Sequence, residues 1–533
     1  MLDVVFEGGR IVDGTGNPWF YGDVGVHDGK IVSIARRVRE TAAERIDARG
    51  LVVAPGFVDV HAHSDFSLFY DPAIMCKLRQ GITTEVTGNC GLSAAPLRDG
   101  RLSRMQADIC ADMEVELKWT TFEEYLECAK AAPLGTNVGW LVGYNTVREW
   151  VAGVKPTLTS AEQGLILEVV GRAMEAGALG LSSGLVYEPG NYATVDDLVE
   201  VCRVVAGWGG IYSSHTRGLR ETLAEGVAEA IEIGRRAEVP VQISHLTPQY
   251  GGWDRIQLAL DRIDAARAEG VDVCFDLHLD EVGGTSALAT LPPWVKEGDV
   301  DAMIGRLTDP RMRAQVSAEV REFVGPGTSG FIRHSCWDLL RVASAPGTPD
   351  LVGKSFEEIA KVSGKAPIDT YFDIIVANRG KLQLTGLYTP AEEIRRVLAH
   401  PRSMVATDAV SPSRTQRVTT PRNYSTMPKL LGRYVREESL LSLEEAVQKI
   451  TSRPAIRFGL RGRGILAEGF WADVVVFDPV TVGPVVTDEG VMNGEDYPDP
   501  YARGILYVAV NGILEIREGR PTGMLAGRPL LRA

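Results

Sequence analysis

Eight short β-type runs, most of them separated from the next by an amphipathic segment, set the strongest limit on how this chain folds. They are Phe57–His63, Thr83–Val86, Val138–Val142, Leu179–Ser182, Ile211–His215, Val241–His245, Val271–Asp276 and Met404–Asp408. Helical patterns such as "SAEQGLILEVVGRAMEAG" (160–177) and "RETLAEGVAEAIEIGRRAE" (220–238) lie between many of them. A helical crossover returns the chain to the same sheet in parallel, so eight such units predict an α/β fold, a (β/α)8 TIM-like barrel over residues 55–455. The gap at about 285–395 exceeds one crossover helix, and an insertion over about 285–345 is expected before the last barrel strand.

Both ends of the chain have a different texture. Residues 4–38 alternate short β-type runs with Gly, Asn and Asp turns. "GILAEGFWADVVVFDP" (464–479) and "GILYVAVNGILEIREG" (504–519) read the same way. Neither end could easily bury a core alone, so residues 1–54 and 456–533 are expected to share one small β-sandwich domain.

Bulk properties exclude several function classes. A net charge of −14 offers no basic face for a nucleic acid, and no lysine/arginine cluster suits an anionic membrane. No apolar run approaches the roughly 20 residues that span a bilayer. The start, "MLDVVFEGGR", lacks the basic and apolar regions of a signal peptide. Seven scattered cysteines without a CxxC pair fit free thiols in a reducing compartment. A cytoplasmic protein acting on a small molecule is expected, with homo-oligomerisation left open.

In a barrel of this type the C-terminal ends of the strands build the site. The first run ends "DVHAHSD", which puts His61 and His63 two residues apart on one face. The second leads to Cys90 in "GNCG", the fifth ends at His215, the sixth at His245 and the eighth at Asp408. Each has an ordinary reading: a chance HxH, a hydrogen-bonded strand-end histidine, a packed cysteine, a helix-capping aspartate. Their coincidence at one end of successive strands points instead to a metal site with N, S and O ligands. His27, His334 and His400 read as structural or surface residues, whereas His278, near the end of the seventh run, is within reach of the pocket.

Such a ligand set predicts hydrolysis. A zinc ion with an open position acidifies water and polarises a carbonyl. An aspartate beside it can carry the proton to a leaving nitrogen. No G-x-S-x-G elbow is present, and a Cys90 nucleophile would leave the other histidines unexplained. "GGR" and "GTG" near the start lack the lysine of a phosphate loop and read as turns.

The chain resembles the amidohydrolase superfamily and, within it, the D-aminoacylase (N-acyl-D-amino-acid deacylase) family. The stretches that carry the resemblance are "APGFVDVHAHSD" (54–65), "GITTEVTGNCG" (81–91), "GALGLSSGLVYEPG" (177–190) and "GGIYSSHTRG" (209–218). "VQISHL" (241–246), "HPRSMVATD" (400–408) and the long segment 441–479 continue it in the family's order. Hydantoinase and dihydroorotase relatives bridge two metals with a carboxylated lysine on strand four, but this strand reads "LGLSSGLVY". The resemblance implies that Cys90, His215 and His245 hold one zinc tightly. His61, His63 and Asp408, sharing Cys90, would then border a second, weaker site. Asp408 would be the general base and acid.

Substrate recognition departs from the family pattern. Tyr187 agrees with a family tyrosine near the substrate carboxylate, and Arg422 is kept in "TPR". The family usually has a lysine shortly after the strand-six histidine, where this chain has Leu246 and Thr247. "GYN" replaces the usual GHG and brings in Tyr144; "DLHLD" replaces a sequence like DQYPY and brings in His278. Tyr187, Arg422, Tyr144, Thr247 and His278 are therefore the candidate substrate contacts. An unpaired buried carboxylate costs several kcal/mol, so the pocket either places its cation elsewhere or takes a different ligand. Arg414, Arg417, Arg422 and Arg217 are candidates for that cation. The expected reaction is zinc-dependent cleavage of an N-acyl-D-amino acid or related N-acyl compound. The alternative is a cyclic amide, carbamate or other amide without an α-carboxylate. A non-catalytic barrel would be expected to have lost ligands, and the expected set is complete.

Overall fold

The computed structural model describes every residue except 104–105, 108–112, 114, 323–328, 412–417, 419 and 533. Strands β1 (Leu2–Ile11), β2 (Phe20–His27), β3 (Lys30–Ala35), β4 (Ala42–Asp47) and β5 (Val52–Pro55) open the chain. Then come β6 (Phe57–Asp59), β7 (Ile82–Thr87), β8 (Asn137–Gly143), β9 (Gly180–Gly184), β10 (Ile211–His215), β11 (Val241–Ile243) and β12 (Val273–Leu277). They are followed by β13 (Val282–Ser286), β14 (Leu340–Ser344), β15 (Gln383–Leu387) and β16 (Ser403–Val405). The chain closes with β17 (Val474–Phe477), β18 (Ile505–Val510), β19 (Ile513–Arg517), β20 (Arg520–Pro521) and β21 (Pro529–Leu530).

Strands β6 to β12 and β16 pair in parallel in chain order, and each falls on one of the eight runs read from the sequence. The barrel is closed across its seam by two backbone bonds. Asp408 N–H donates to the His61 carbonyl at 2.8 Å, and His63 N–H to the Ala409 carbonyl at 3.0 Å. Below that seam a fully buried Lys77 donates to Asp59 Oδ2 at 2.7 Å and to Thr407 Oγ1 at 2.6 Å.

The outer helices follow local rules. Helix Ser160–Ala176 starts at Thr159, whose hydroxyl accepts the Glu162 N–H while Glu162 accepts the Thr159 N–H. This reciprocal cap satisfies two otherwise orphaned donors. The helix buries Ile166, Val170, Ala173 and Met174, one stripe at helical spacing, and ends where Gly177 takes φ +114°.

The two ends of the chain share one sheet. Its order is β20-β19-β18-β17-β5-β1-β2-β3, with β4 beside β1, and β5 joins β17 antiparallel. Side chains along β17 alternate: Val474 and Val476 enter the core of this sheet, Val475 and Phe477 the barrel core. Both faces are buried, which explains an apolar run without polar alternation.

The inserted segment is longer than the 285–345 expected. β13, β15 and β14 form a separate antiparallel sheet, and a core of its own runs from Ala287 to Tyr388. β15 pairs between the other two strands, so the chain returns to the barrel only after Leu387. No helix among the described residues is long and apolar enough to cross a membrane.

Candidate metal centre

Six side chains converge where the strands end. His61 Nε2 lies 3.2 Å from Cys90 Sγ and 3.3 Å from Asp408 Oδ1. Cys90 Sγ is 3.4 Å from His245 Nε2, which is 2.7 Å from His215 Nδ1. His63 Nε2 lies 3.2 Å from Asp408 Oδ1. One ligand atom from each of His61, Cys90, His245 and Asp408 lies within 4.8 Å of all the others.

Backbone geometry aims these groups. Cys90, His245 and Asp408 all take left-handed φ, at +55°, +33° and +50°. For residues other than glycine this costs about 1 kcal/mol or more, and it clusters where function over-determines the backbone. At the GNCG turn, Gly88 and Gly91 are also left-handed, and a Cβ on Gly88 would sit 2.0 Å from the Leu141 carbonyl oxygen. Only glycine admits that approach, which brings Cys90 to the mouth of the barrel.

The electrostatics suit a cation. Burial opposes ionisation of Cys90, but His61, His245 and His215 hold its thiol well below the usual range. Burial also opposes the charge on Asp408, and Arg422 and His63 outweigh it, keeping the carboxyl well below its ordinary value. His61 and His63 move the other way. Burial works against their charge, yet Cys90 and Asp276 raise His61 well above normal, and Asp408 and Cys90 raise His63 to about 9. A thiolate, several imidazoles and a carboxylate at hydrogen-bond separations form a donor set that zinc accepts. His215 Nε2 and His63 Nδ1 are buried without a hydrogen-bond partner. The residues fit a metal.

Around the cluster, the ring of Tyr187 packs on His215 with centroids 4.9 Å apart. Arg422, at the start of helix Arg422–Lys429, bonds Asp408 Oδ2 through Nη1, and its backbone N–H donates to Asp280 Oδ2 at 3.0 Å. Thr247 Oγ1 is 3.0 Å from the His245 carbonyl and 3.3 Å from His278 Nε2. His278 Nδ1 is buried without a partner; burial, then Arg422, push its pKa well down.

Two expectations change. Tyr144 is the first residue of helix Tyr144–Ala152 and is fully buried in the main core, where its hydroxyl accepts from Arg148 Nη1 one turn on at 3.2 Å, so it packs the helix onto that core. Arg217 is committed elsewhere: it donates to Glu229 and to the carbonyls of Asn191 and Ala193. A local pattern does not reveal such distant pairing. Arg414 and Arg417 lie outside the described residues. His27, His334 and His400 pair with Asp3, Glu221 and Asp264, outside the cluster.

The sequence reading missed Asp276. Its Oδ1 lies 3.1 Å from His61 Nδ1 and accepts the His245 N–H at 2.8 Å, while Oδ2 accepts from Gln242 Nε2 at 2.7 Å. Its position at the end of a barrel strand was the available signal.

The profile of the amidohydrolase family matches residues 44–133 and 328–512. The chain is 33% identical to a D-aminoacylase of Alcaligenes xylosoxydans xylosoxydans, covering 100% of this chain and 98% of that one. It is 32% identical to an N-acyl-D-glutamate deacylase of the same organism, covering 98% and 95%. It also superposes, with a TM-score of 0.81, 31% identity and full coverage of both chains, on the crystal structure of N-acyl-D-glutamate deacylase from Bordetella bronchiseptica. That structure is complexed with zinc and a phosphonate inhibitor, a mimic of the tetrahedral intermediate.

Proposed function

The chain belongs to the amidohydrolase family, and from that premise we propose that it uses zinc to hydrolyse the amide bond of an N-acyl-D-amino acid or a related N-acyl compound. It is a metal-dependent hydrolase of carbon–nitrogen bonds other than peptide bonds. The observation that carries the reading is the convergence of His61, Cys90, His245 and Asp408 within 4.8 Å at the mouth of the barrel.

Cys90, His215 and His245 are assigned to a tightly held zinc ion. His61, His63 and Asp408, sharing Cys90, are assigned to a second and weaker position. Bound there, zinc would polarise the scissile carbonyl and acidify the attacking water. Asp408 takes the proton that this water loses as the C–O bond forms. It returns the proton to the nitrogen as the C–N bond breaks. Arg422 on Oδ2 keeps the carboxylate ionised and turned, leaving Oδ1 beside His61 and His63. Tyr187, Thr247 and His278 line the substrate side, with Tyr187 packed on His215.

A second reading is favoured by Leu246 and Thr247, which stand where a lysine that would pair with an α-carboxylate would be expected. It assigns the pocket a cyclic amide, carbamate or other amide without that carboxylate. Assays of zinc-loaded protein on N-acetyl-D- and N-acetyl-L-amino acids, cyclic imides and aryl amides separate the two. Amine release from the D-series is expected. Turnover confined to cyclic or aryl amides selects the second reading, and no turnover of any member overturns both.

A further inference from the structure

One neighbouring side chain spans the turn that carries Cys90. Ser182 lies in the middle of β9 and is fully buried, paired in the parallel ladder with Gly143 of β8 on one side and Ser213 of β10 on the other. Its Oγ donates to the Gly88 carbonyl and accepts the Gly91 N–H at 2.9 Å. A hydroxyl has one proton to give and lone pairs to receive with. This single oxygen therefore meets an acceptor two residues before Cys90 and a donor one residue after it.

The turn needs such a brace. Gly88, Cys90 and Gly91 take φ of +80°, +55° and +75°, and among them only the cysteine has a Cβ that is strained there. The end of β9 also presses on the turn, since a Cβ on Gly184 would lie 2.2 Å from the Cys90 carbonyl oxygen. The Thr146 N–H donates to the Gly91 carbonyl at 3.1 Å, and Asn89 Nδ2 donates to the Val86 carbonyl at 2.9 Å. Those bonds fix the flanks, whereas Ser182 bridges from one side of Cys90 to the other. The sulfur between them lies 3.2 Å from His61 Nε2 and 3.4 Å from His245 Nε2. Without the hydroxyl, a buried carbonyl and a buried N–H would both lose a partner, and relaxing the turn would relieve both.

We infer that Ser182 is a positioning residue of the metal centre: by bracing the Gly88–Gly91 turn it aims Cys90 Sγ at the zinc, so that β9, which supplies none of the assigned ligands, sets the sulfur. This rests on the zinc reading above. Ser183, next along the strand, makes the contrast. Its Oγ pairs with Tyr212 Oη at 2.7 Å and Ser214 Oγ at 3.2 Å on β10 rather than with the turn.

The test titrates metal-free wild type, Ser182→Ala, Ser183→Ala, Cys90→Ala and the Ser182→Ala/Cys90→Ala double variant with zinc against a chelator. A parallel titration uses cobalt(II), whose sulfur-to-metal charge-transfer band reports the bond to Cys90. Ser182→Ala should bind zinc about 10- to 100-fold more weakly and, saturated with cobalt, show less than about half of the wild-type band. Ser183→Ala, which also loses one buried hydroxyl, should stay within about threefold of wild type and keep the band. In the Cys90→Ala background, adding Ser182→Ala should change the residual affinity by less than about threefold, because the sulfur it aims is gone. Unchanged affinity and band in Ser182→Ala, equal losses in the two serine variants, or the same loss with and without Cys90 would each overturn the inference. A Ser182→Ala chain that does not fold by circular dichroism, when Ser183→Ala does, assigns the hydroxyl to folding and overturns it as well. Zinc bound by Cys90→Ala as tightly as by wild type, or not bound by wild type at all, overturns the zinc reading itself, a result that the serine variants cannot give.

Discussion

Asp276 supports His61 from behind, its Oδ1 3.1 Å from Nδ1, while Nε2 on the opposite edge of the ring faces Cys90 Sγ at 3.2 Å. A carboxylate on Nδ1 fixes the tautomer and leaves Nε2 free for a metal. Because the same Oδ1 also accepts the His245 N–H, one residue aligns two candidate ligands. Asp276→Ala should weaken zinc binding by about 10- to 100-fold, measured by competition with a chelator. Unchanged affinity would remove Asp276 from the centre.

Cys90 supplies the anionic sulfur at the middle of the cluster, beside both His61 and His245. Cys90→Ala should lower zinc content to under about a tenth of wild type by elemental analysis, while the barrel stays folded by circular dichroism. Full occupancy in the variant would exclude sulfur ligation.

Asp408→Asn keeps the shape of the side chain and removes its capacity to take a proton. Turnover should fall about 10²- to 10⁴-fold with the tightly held zinc retained. A variant with wild-type kcat would show that another group moves the proton.

Lys77 and Asp59 are both fully buried at the barrel seam, 2.7 Å apart. Lys77→Met leaves the Asp59 charge without its partner and should cost about 3–5 kcal/mol in denaturant unfolding. Adding Asp59→Asn should recover part of that loss, since the unpaired charge is then gone. Stability equal to wild type in the single variant would mean that the pair contributes nothing to closure.

Glu515, in β19, is 1% exposed, and burial lifts its carboxyl to about 8. The folded protein therefore keeps this proton between pH 4.5 and 8, where the unfolded chain has released it. More protons on the folded side make stability fall as pH rises, by about 1.4 kcal/mol per pH unit from this group, with no further loss above pH 8. Glu515→Gln removes that slope. Its gain in Tm over wild type should be larger at pH 8 than at pH 5, and an equal gain at both would show that Glu515 is ionised in the fold.

How far the sequence could be read follows from the range of each interaction. Alternating β-type runs and helical stripes report burial over a few residues, so all eight barrel strands were legible. His61, His63, Cys90, His215, His245 and Asp408 were legible as a set because each closes or follows a strand, and parallel strands in a barrel bring those ends together. The extent of the inserted segment was not, because β15 pairs back between β13 and β14 across more than one intervening helix.

Which polar groups are already engaged was decided only by the tertiary structure. Arg217 is taken up by Glu229 and two carbonyls, Tyr144 by the core, and Arg422 by Asp408 and Asp280. The sequence by itself determined the barrel, the alternation that builds it and the residue types at its mouth, since these depend on local periodicity. It did not determine Asp276 behind His61 or Arg217 on Glu229. Those relationships exist only once distant segments pack, because a hydrogen bond or an ion pair forms between atoms that are close in space whatever their separation along the chain.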